Sequence, residues 1–287
     1  MNQRFIVKEK QELLTFLYDN LKDLKEKKIK SILTNKKILV DNKVITQYNY
    51  VLKPKQVITI DINGGKHFLD KHHIELLYED EKLIVINKPS GLLSIANEQE
   101  KENTAHKIMM QYVRLSNPKD RIFIVHRLDK ETSGIMMFTK DENFKHKLQE
   151  NWDKVVLFRG YIAIVDGILK IKEDTIKNYL IEDKNYTMHS TNSNKGDLAI
   201  TKYSVVKEMN NISLIKLELK TGRKNQIRVH MQELGHPIIG DKKYGSKRNL
   251  IKRLGLHAYK LVFIHPITNK KMEFETDIPK QFIDVLL

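Results

Sequence analysis

The chain has 287 residues, 40% of them hydrophobic, no cysteine, and a formal net charge of +15 from 51 lysines and arginines against 36 aspartates and glutamates. Disulfides, thiolate metal ligands and cysteine nucleophiles are therefore excluded. With no apolar run near the roughly 20 residues that span a bilayer and no secretory signal at the start, a cytoplasmic protein without membrane contact is expected. The basic excess points to a polyanionic partner, because cationic surfaces release counterions on docking to phosphates, although a lysine-rich proteome would produce the same balance.

The first predicted elements are two short amphipathic helices, from apolar residues at Leu13, Leu14, Leu17, Leu21 and Leu24, then Ile29, Ile32 and Leu33. Short β-rich runs follow at 36–46 and 51–60, with Asp41-Asn42-Lys43 as a hairpin turn. Lysines 22, 25, 27, 28, 30, 36, 37 and 43 crowd this unit, and a solvated helix face would explain them as well as RNA would. The runs Ile38-Leu39-Val40-Asp41-Asn42-Lys43-Val44 and Leu52-Lys53-Pro54-Lys55-Gln56-Val57-Ile58 resemble a small RNA-binding module first described in a ribosomal small-subunit protein. Glu12-Leu13-Leu14 stands where that module usually opens with an Arg-Leu-Asp-like sequence.

Asp61 to Lys66, with paired glycines among polar residues, reads as a linker. Beyond it, β-like runs at 83–87, 122–126, 134–139, 161–165, 212–219 and 261–265 are interrupted by helical patterns at 104–113 and 143–152. The alternation is irregular, which favours an α+β domain over a doubly wound one. The expected organisation is a basic α/β RNA-binding module over 1–62, a linker over 63–71, and a catalytic domain over 72–287 built on a mixed, largely antiparallel β-sheet with flanking helices.

The densest polar stretch, His126-Arg127-Leu128-Asp129-Lys130-Glu131-Thr132-Ser133-Gly134, lies between two apolar runs. A polar loop held by buried strands is a usual place for function. It sets Asp129 between Arg127 and Lys130, a setting that suits a charged carboxylate acting as nucleophile or electrostatic stabiliser. On residue types alone, a salt-bridged surface turn is the commoner explanation. Similarity to the phosphorylated loop of ion-pumping ATPases fails, since no spanning segment or phosphate-binding motif accompanies it.

In the stretch from Lys220 to His230, Thr221-Gly222 reads as a turn and Gln226 onward as a helix start with Ile227 inward. Arg228 is there positioned to form a bidentate fork with a carboxylate. Histidines 230, 236, 257 and 265 lack metal-ligand spacing and read as hydrogen-bonded core and turn residues. No metal is expected.

Taken in order, Leu77 to Leu92, the loop 126–134, Tyr161 to Gly167, Thr221 to His230, Gly235 to Asp241 with Tyr244-Gly245, and Leu256-His257-Ala258 with His265-Pro266 resemble the RluA family of pseudouridine synthases. The resemblance covers about residues 74 to 280. It implies that Asp129 is the essential aspartate, that Tyr161 packs against the target base and takes a proton, and that Arg228 pairs with the aspartate. Arg127 would fill the gap left by a flipped nucleotide. His126, Thr132, Arg223, Gln226 and Leu256 fall in the same motifs as substrate-binding candidates. Two departures are Asn225 where a histidine is frequent, and Arg159 where a lysine commonly stands two residues before the tyrosine.

The implied chemistry breaks the sugar–nitrogen bond of a uridine, rotates the base and rejoins it through carbon five. It needs no redox change or group donor, so no cofactor is expected. A carboxylate near the anomeric carbon is what glycosidic cleavage requires, through either a sugar adduct or elimination, and access inside folded RNA requires base flipping. The expected substrate is RNA, large-subunit ribosomal RNA with transfer RNA as the alternative, acted on by a monomer. An inert RNA-binding ribosome-assembly factor and a hydrolase that releases uracil remain competing readings.

Overall fold

The computed structural model describes residues 3–34, 37–41, 43–60, 64–115, 117–191 and 195–287. The chain divides into two compact units, one of Met1–His73 with Ile108–Ile122, the other of Ile74–Lys107 with Phe123–Leu287.

In the first unit the chain runs β1 (Gln3–Ile6), β2 (Gln11–Glu12), α1 (Leu13–Asn20), α2 (Glu26–Thr34), β3 (Ile38–Val40), β4 (Lys43–Val44), β5 (Val51–Leu52), β6 (Val57–Ile60) and α3 (Gly64–Lys71). The two helices lie where the apolar spacing predicts them, and Leu13, Leu17, Ile29, Ile32 and Leu33 are buried in one core with Ile38, Ile58 and Ile60. Four of the strands form an antiparallel sheet in the order β1-β6-β3-β4, and β2 pairs with β5 separately. Val40 pairs with Lys43, and Asp41 between them takes a φ of +49°; Asn42 lies outside the described residues. Strand β1 was not expected, because its polar Gln3-Arg4 start hides an edge strand that only its partner β6 reveals. The predicted linker is a second difference: Gly64 and Gly65 open a helix instead of a turn, while 61–63 lie outside the described residues. Lys22, Lys25, Lys27, Lys28 and Lys30 are exposed; Lys36 is not among the described residues.

The second unit begins with β7 (Glu75–Glu79) and β8 (Leu83–Lys88). Helix α4 (Ala105–Arg114) starts in this unit and belongs to the first from Ile108 on; the second unit resumes with β9 (Phe123–Ile124), β10 (Ser133–Thr139), α5 (Glu142–Glu150), α6 (Trp152–Val155) and β11 (Val156–Asp166). Then come β12 (Glu173–Glu182), β13 (Met188–Thr191), β14 (Asp197–Met209), β15 (Ile212–Leu219), α7 (Gln226–Glu233), a 3-10 turn (Lys242–Tyr244), β16 (Leu256–Ile264), β17 (Lys271–Glu275) and α8 (Lys280–Asp284). Eleven strands join in one sheet, ordered β13-β12-β14-β15-β11-β16-β10-β8-β7, with β17 on β16 and β9 on β10. The fold is α+β, as the irregular strand spacing implied. Strands β12, β13, β14 and β17 escaped the sequence reading: β12 is mostly exposed or half-buried and β17 alternates between the two, so neither carries an apolar run.

One feature of the sheet positions the site. Strands β10 and β16 pair in parallel over only Ser133↔His257 and Gly134↔Ala258. Beyond those two pairs β10 continues against β8 and β9, and β16 against β11 and β17. The polar loop 126–132 therefore ends at the seam between the two halves of the sheet. Gly134 makes the seam: its φ is +121°, and a Cβ there would lie 2.2 Å from the Ala258 carbonyl oxygen. Gly134→Ala is expected to lower stability by about 3 kcal/mol or more, from overpacking plus backbone strain, read as a shift of the urea midpoint. A midpoint equal to that of the unmodified chain would show that the seam can open without cost.

Candidate active site

The loop before β10 is held from behind. The Lys88 side chain is fully buried at the end of β8, and its Nζ donates to the carbonyls of Pro89 (2.9 Å), Leu92 (2.7 Å) and Lys130 (3.2 Å). Burial pushes its pKa down to about 7. Ser94 Oγ donates to Leu128 O (2.6 Å) and accepts from Leu128 N (3.0 Å), while Ser90 Oγ donates to Glu131 O (2.6 Å). The turn 88–94 thus fixes the backbone on both sides of Asp129. The sequence reading gave Lys88 and Ser94 no role; a lysine ending the apolar run Leu83–Asn87 was the available signal.

The loop opens onto a cavity of about 420 Å³. All nine residues singled out from the sequence line it: His126, Arg127, Asp129, Thr132, Tyr161, Arg223, Gln226, Arg228 and Leu256. They come from the loop, β11, the β15–α7 turn, α7 and the start of β16, elements that are neighbours only in the folded sheet.

The cation paired with the Asp129 carboxylate is Arg228, as the family resemblance implied, and not the flanking Arg127 or Lys130. Arg127 and Lys130 are exposed, and the ion pair recorded for Asp129 is to Arg228, Nη1 to Oδ2 at 3.6 Å. The bidentate fork expected of Arg228 is made with the carboxylate of Asp241, Nε to Oδ2 at 2.7 Å and Nη2 to Oδ1 at 2.8 Å. Asp241 is 2% exposed, so its charge needs this partner. The guanidinium also lies over the Tyr244 ring, 4.9 Å from its centroid, and donates to Asn225 Oδ1 at 3.3 Å. Burial works against the Arg228 charge, but the Asp241 hydrogen bonds and charge, with Asp129 beyond, hold its pKa above the ordinary value. Two bonds to Asp241 orient the fork and leave Nη1 turned to Asp129.

Tyr161 stands on β11, its pKa pushed up to about 12 by burial. At neutral pH it offers a ring and an O–H rather than a phenolate. Gln226 is 2% exposed and its amide is fully engaged: Oε1 accepts from Thr221 Oγ1 (2.8 Å) and Arg223 N (2.9 Å), and Nε2 donates to Ile200 O (3.0 Å) and Thr201 Oγ1 (2.9 Å). It shapes the turn that carries Arg223 and Asn225, with no donor or acceptor left over for a ligand. Asn225 takes the left-handed conformation, φ +54°, to start α7, a conformation asparagine tolerates.

The profile of the RNA pseudouridylate synthase family matches residues 82–233. The chain belongs to this family. Members are isomerases, and the matched span contains the loop, β11 and α7 with their cavity-lining residues. An RNA pseudouridine synthase of Mycoplasma pneumoniae is 34% identical over all of this chain and 95% of its own length. A ribosomal large subunit pseudouridine synthase D of Borreliella burgdorferi is 34% identical over 73% of this chain and 67% of its own length. Among solved structures, human RNA pseudouridylate synthase domain containing 4 superposes with a TM-score of 0.61 at 25% identity, covering 76% of this chain and 92% of that one.

Histidines 230, 236, 257 and 265 of the synthase are all bonded within the second unit. His230 sits between Thr201 Oγ1 (2.9 Å) and Asn178 Oδ1 (2.8 Å), and His257 between Ser133 Oγ (2.7 Å) and Thr276 Oγ1 (2.9 Å). His236 Nδ1 meets Asp166 O at 2.7 Å, and His265 Nδ1 accepts from Ile267 N and Thr268 N at 3.3 and 3.2 Å. Burial pushes the pKa of His230 down to about 4, and burial with the Arg253 charge does the same to His257. An unfolded histidine titrates near 6.5, so below that pH the unfolded chain binds protons that the folded synthase does not. Their stabilisation is intact above about pH 6.5 and is lost as pH falls toward about 4, by roughly 1.4 kcal/mol per pH unit for each histidine. The thermal midpoint is expected to be several degrees lower at pH 5 than at pH 7. Equal midpoints would mean that both histidines protonate freely in the folded state.

Proposed function

We propose that this synthase isomerises specific uridines to pseudouridine in structured RNA, with large-subunit ribosomal RNA as the target. The reading rests on one observation: an oriented arginine, a half-buried tyrosine and a reachable carboxylate, from three separated segments, meet in one cavity. Asp129 acts at the anomeric carbon as the sugar–nitrogen bond breaks, and Arg228 keeps it aligned. Tyr161 packs against the freed base while it turns to present carbon five. Arg127, exposed on the loop beside Asp129, stacks in the space left by the flipped nucleotide, which offsets part of the few kcal/mol that flipping costs.

The ribosomal target is supported by the name of the Borreliella burgdorferi relative and by the exposed lysines between residues 22 and 30, which suit sequence-independent phosphate contacts as part of an RNA-binding module. A second binding unit raises affinity only where the RNA reaches both, which favours a large substrate. Deleting the gene and mapping pseudouridine in total RNA is expected to remove a site in large-subunit ribosomal RNA. Loss of a transfer-RNA site alone would overturn the target and keep the enzyme class.

A further inference from the structure

Trp152, the chain's one tryptophan, stands at the start of α6 and lines the cavity. Its inner side packs on the core of Leu83, Val85, Val125 and Phe144. The His126 ring lies beside it, centroids 5.4 Å apart and tilted by 41°. His126 is itself pinned, its Nε2 accepting from Met137 N at 3.1 Å. Core filling accounts for the inner side of the indole but not for its place in the cavity wall. A half-buried indole held in position is a stacking surface for a planar ring.

Arg159, on β11 two residues before Tyr161, lines the same cavity. Its Nη2 donates to Lys220 O at 2.9 Å, and among the described residues it forms no ion pair. Of the other arginines lining the cavity, half-buried Arg228 has two carboxylates, and Arg223 has Asp197 at 3.7 Å. Burial lowers the pKa of Arg159, and Asp153 draws on it only from an exposed position. A Cβ at position 222 would come within 2.6 Å of Arg159 Nη1, so Gly222 leaves the guanidinium its room. A half-buried cation without a counter-charge, facing a cavity, is matched by an anion from the ligand, and a phosphate suits its fork.

We propose that Trp152 and Arg159 form a second nucleotide subsite, in which Trp152 stacks on the base next to the target uridine and Arg159 holds the phosphate that joins the two. This rests on the reading of the cavity as a uridine-isomerising site. A cavity of about 420 Å³ lies in the range that encloses ligands larger than one pyrimidine ring. The subsite makes recognition depend on the neighbouring nucleotide, so it acts on binding and not on the bond that breaks.

The test uses the full chain with penta-uridylate as probe and Trp152 emission as readout. Saturable quenching is expected at low salt, with a weaker effect from free uridine. Arg159→Met is expected to weaken penta-uridylate binding about five-fold or more and to reduce its salt dependence by about one phosphate. Trp152→Phe, which keeps the core packing, is expected to raise KM for bulk RNA about five-fold with kcat within about two-fold. Filter retention of penta-uridylate without a change in emission, failure to bind it, or an unchanged KM in Trp152→Phe would each overturn the subsite. Pseudouridine formed from bulk RNA by the unaltered protein separates the two readings: if it forms while emission is silent, the subsite alone fails, and if none forms, the reading of the cavity fails with it.

Discussion

Replacing Asp129 by asparagine is expected to reduce pseudouridine formation by about 10³-fold or more, as for other essential catalytic carboxylates, while RNA affinity changes by less than about three-fold. The amide keeps the shape and loses the charge. The fold should tolerate it, because the carboxylate is partly exposed, 31% by side chain, and its one recorded ion pair is long at 3.6 Å. Its backbone carbonyl, which accepts from Thr132 N, is untouched. Product can be counted by chromatography of digested RNA and binding by filter retention on the same preparation. Full turnover by the variant would remove Asp129 from the mechanism; a parallel loss of binding would make it a contact residue instead.

Asp241→Ala is expected to have the largest effect on stability, about 3–5 kcal/mol, because it strands the Arg228 charge in a buried setting. Arg228 is 13% and Asp241 1% exposed by side chain, and Asp241 Oδ1 also accepts from Tyr244 N at 3.2 Å. The thermal midpoint should fall by about 10 °C. The double variant Arg228→Met/Asp241→Leu should recover most of that loss, since neither charge is then left alone, yet remain inactive because Asp129 no longer has its oriented cation. A midpoint in Asp241→Ala equal to that of the unaltered chain would show that the fork contributes no structure. Activity in the double variant would show that Arg228 is dispensable.

Much of the second unit could be read from its sequence because its inner strands are continuous apolar runs. Ile212–Leu219 is a strand over its whole predicted length, and Leu83–Asn87 and Gly134–Thr139 are each extended by one residue. The helix start at Gln226 with Ile227 inward was legible for the same reason. Strands β12 and β17 were not, since a surface strand without an apolar run differs little from a polar loop until its partner is known. The glycine pair at 64–65 was misleading in the opposite way: glycine permits a turn but does not require one.

At the site, the loop 126–134 and its carboxylate could be found from sequence because residue types, order and spacing are local properties. Pairing is not. Local spacing offered Arg127 and Lys130 as the cations for Asp129, and only the family resemblance pointed to Arg228, which the fold turns toward it from 99 positions further along the chain. The true fork partner, Asp241, lies in a motif with no assigned role, and Gln226, expected to bind substrate, spends its whole amide on Thr221, Arg223, Ile200 and Thr201. By itself the sequence determined the α+β class, the basic character and the residues gathered around one cavity, because burial periodicity and motif order are written along the chain. Only the tertiary structure decided that the Arg228 fork closes on Asp241, that Lys88 fixes the loop from behind, and that Arg159 is left without a carboxylate. Those outcomes depend on a strand order that brings β10, β11, β15 and β16 side by side, and a period-two pattern specifies which face of a strand is buried but not which strand lies beside it.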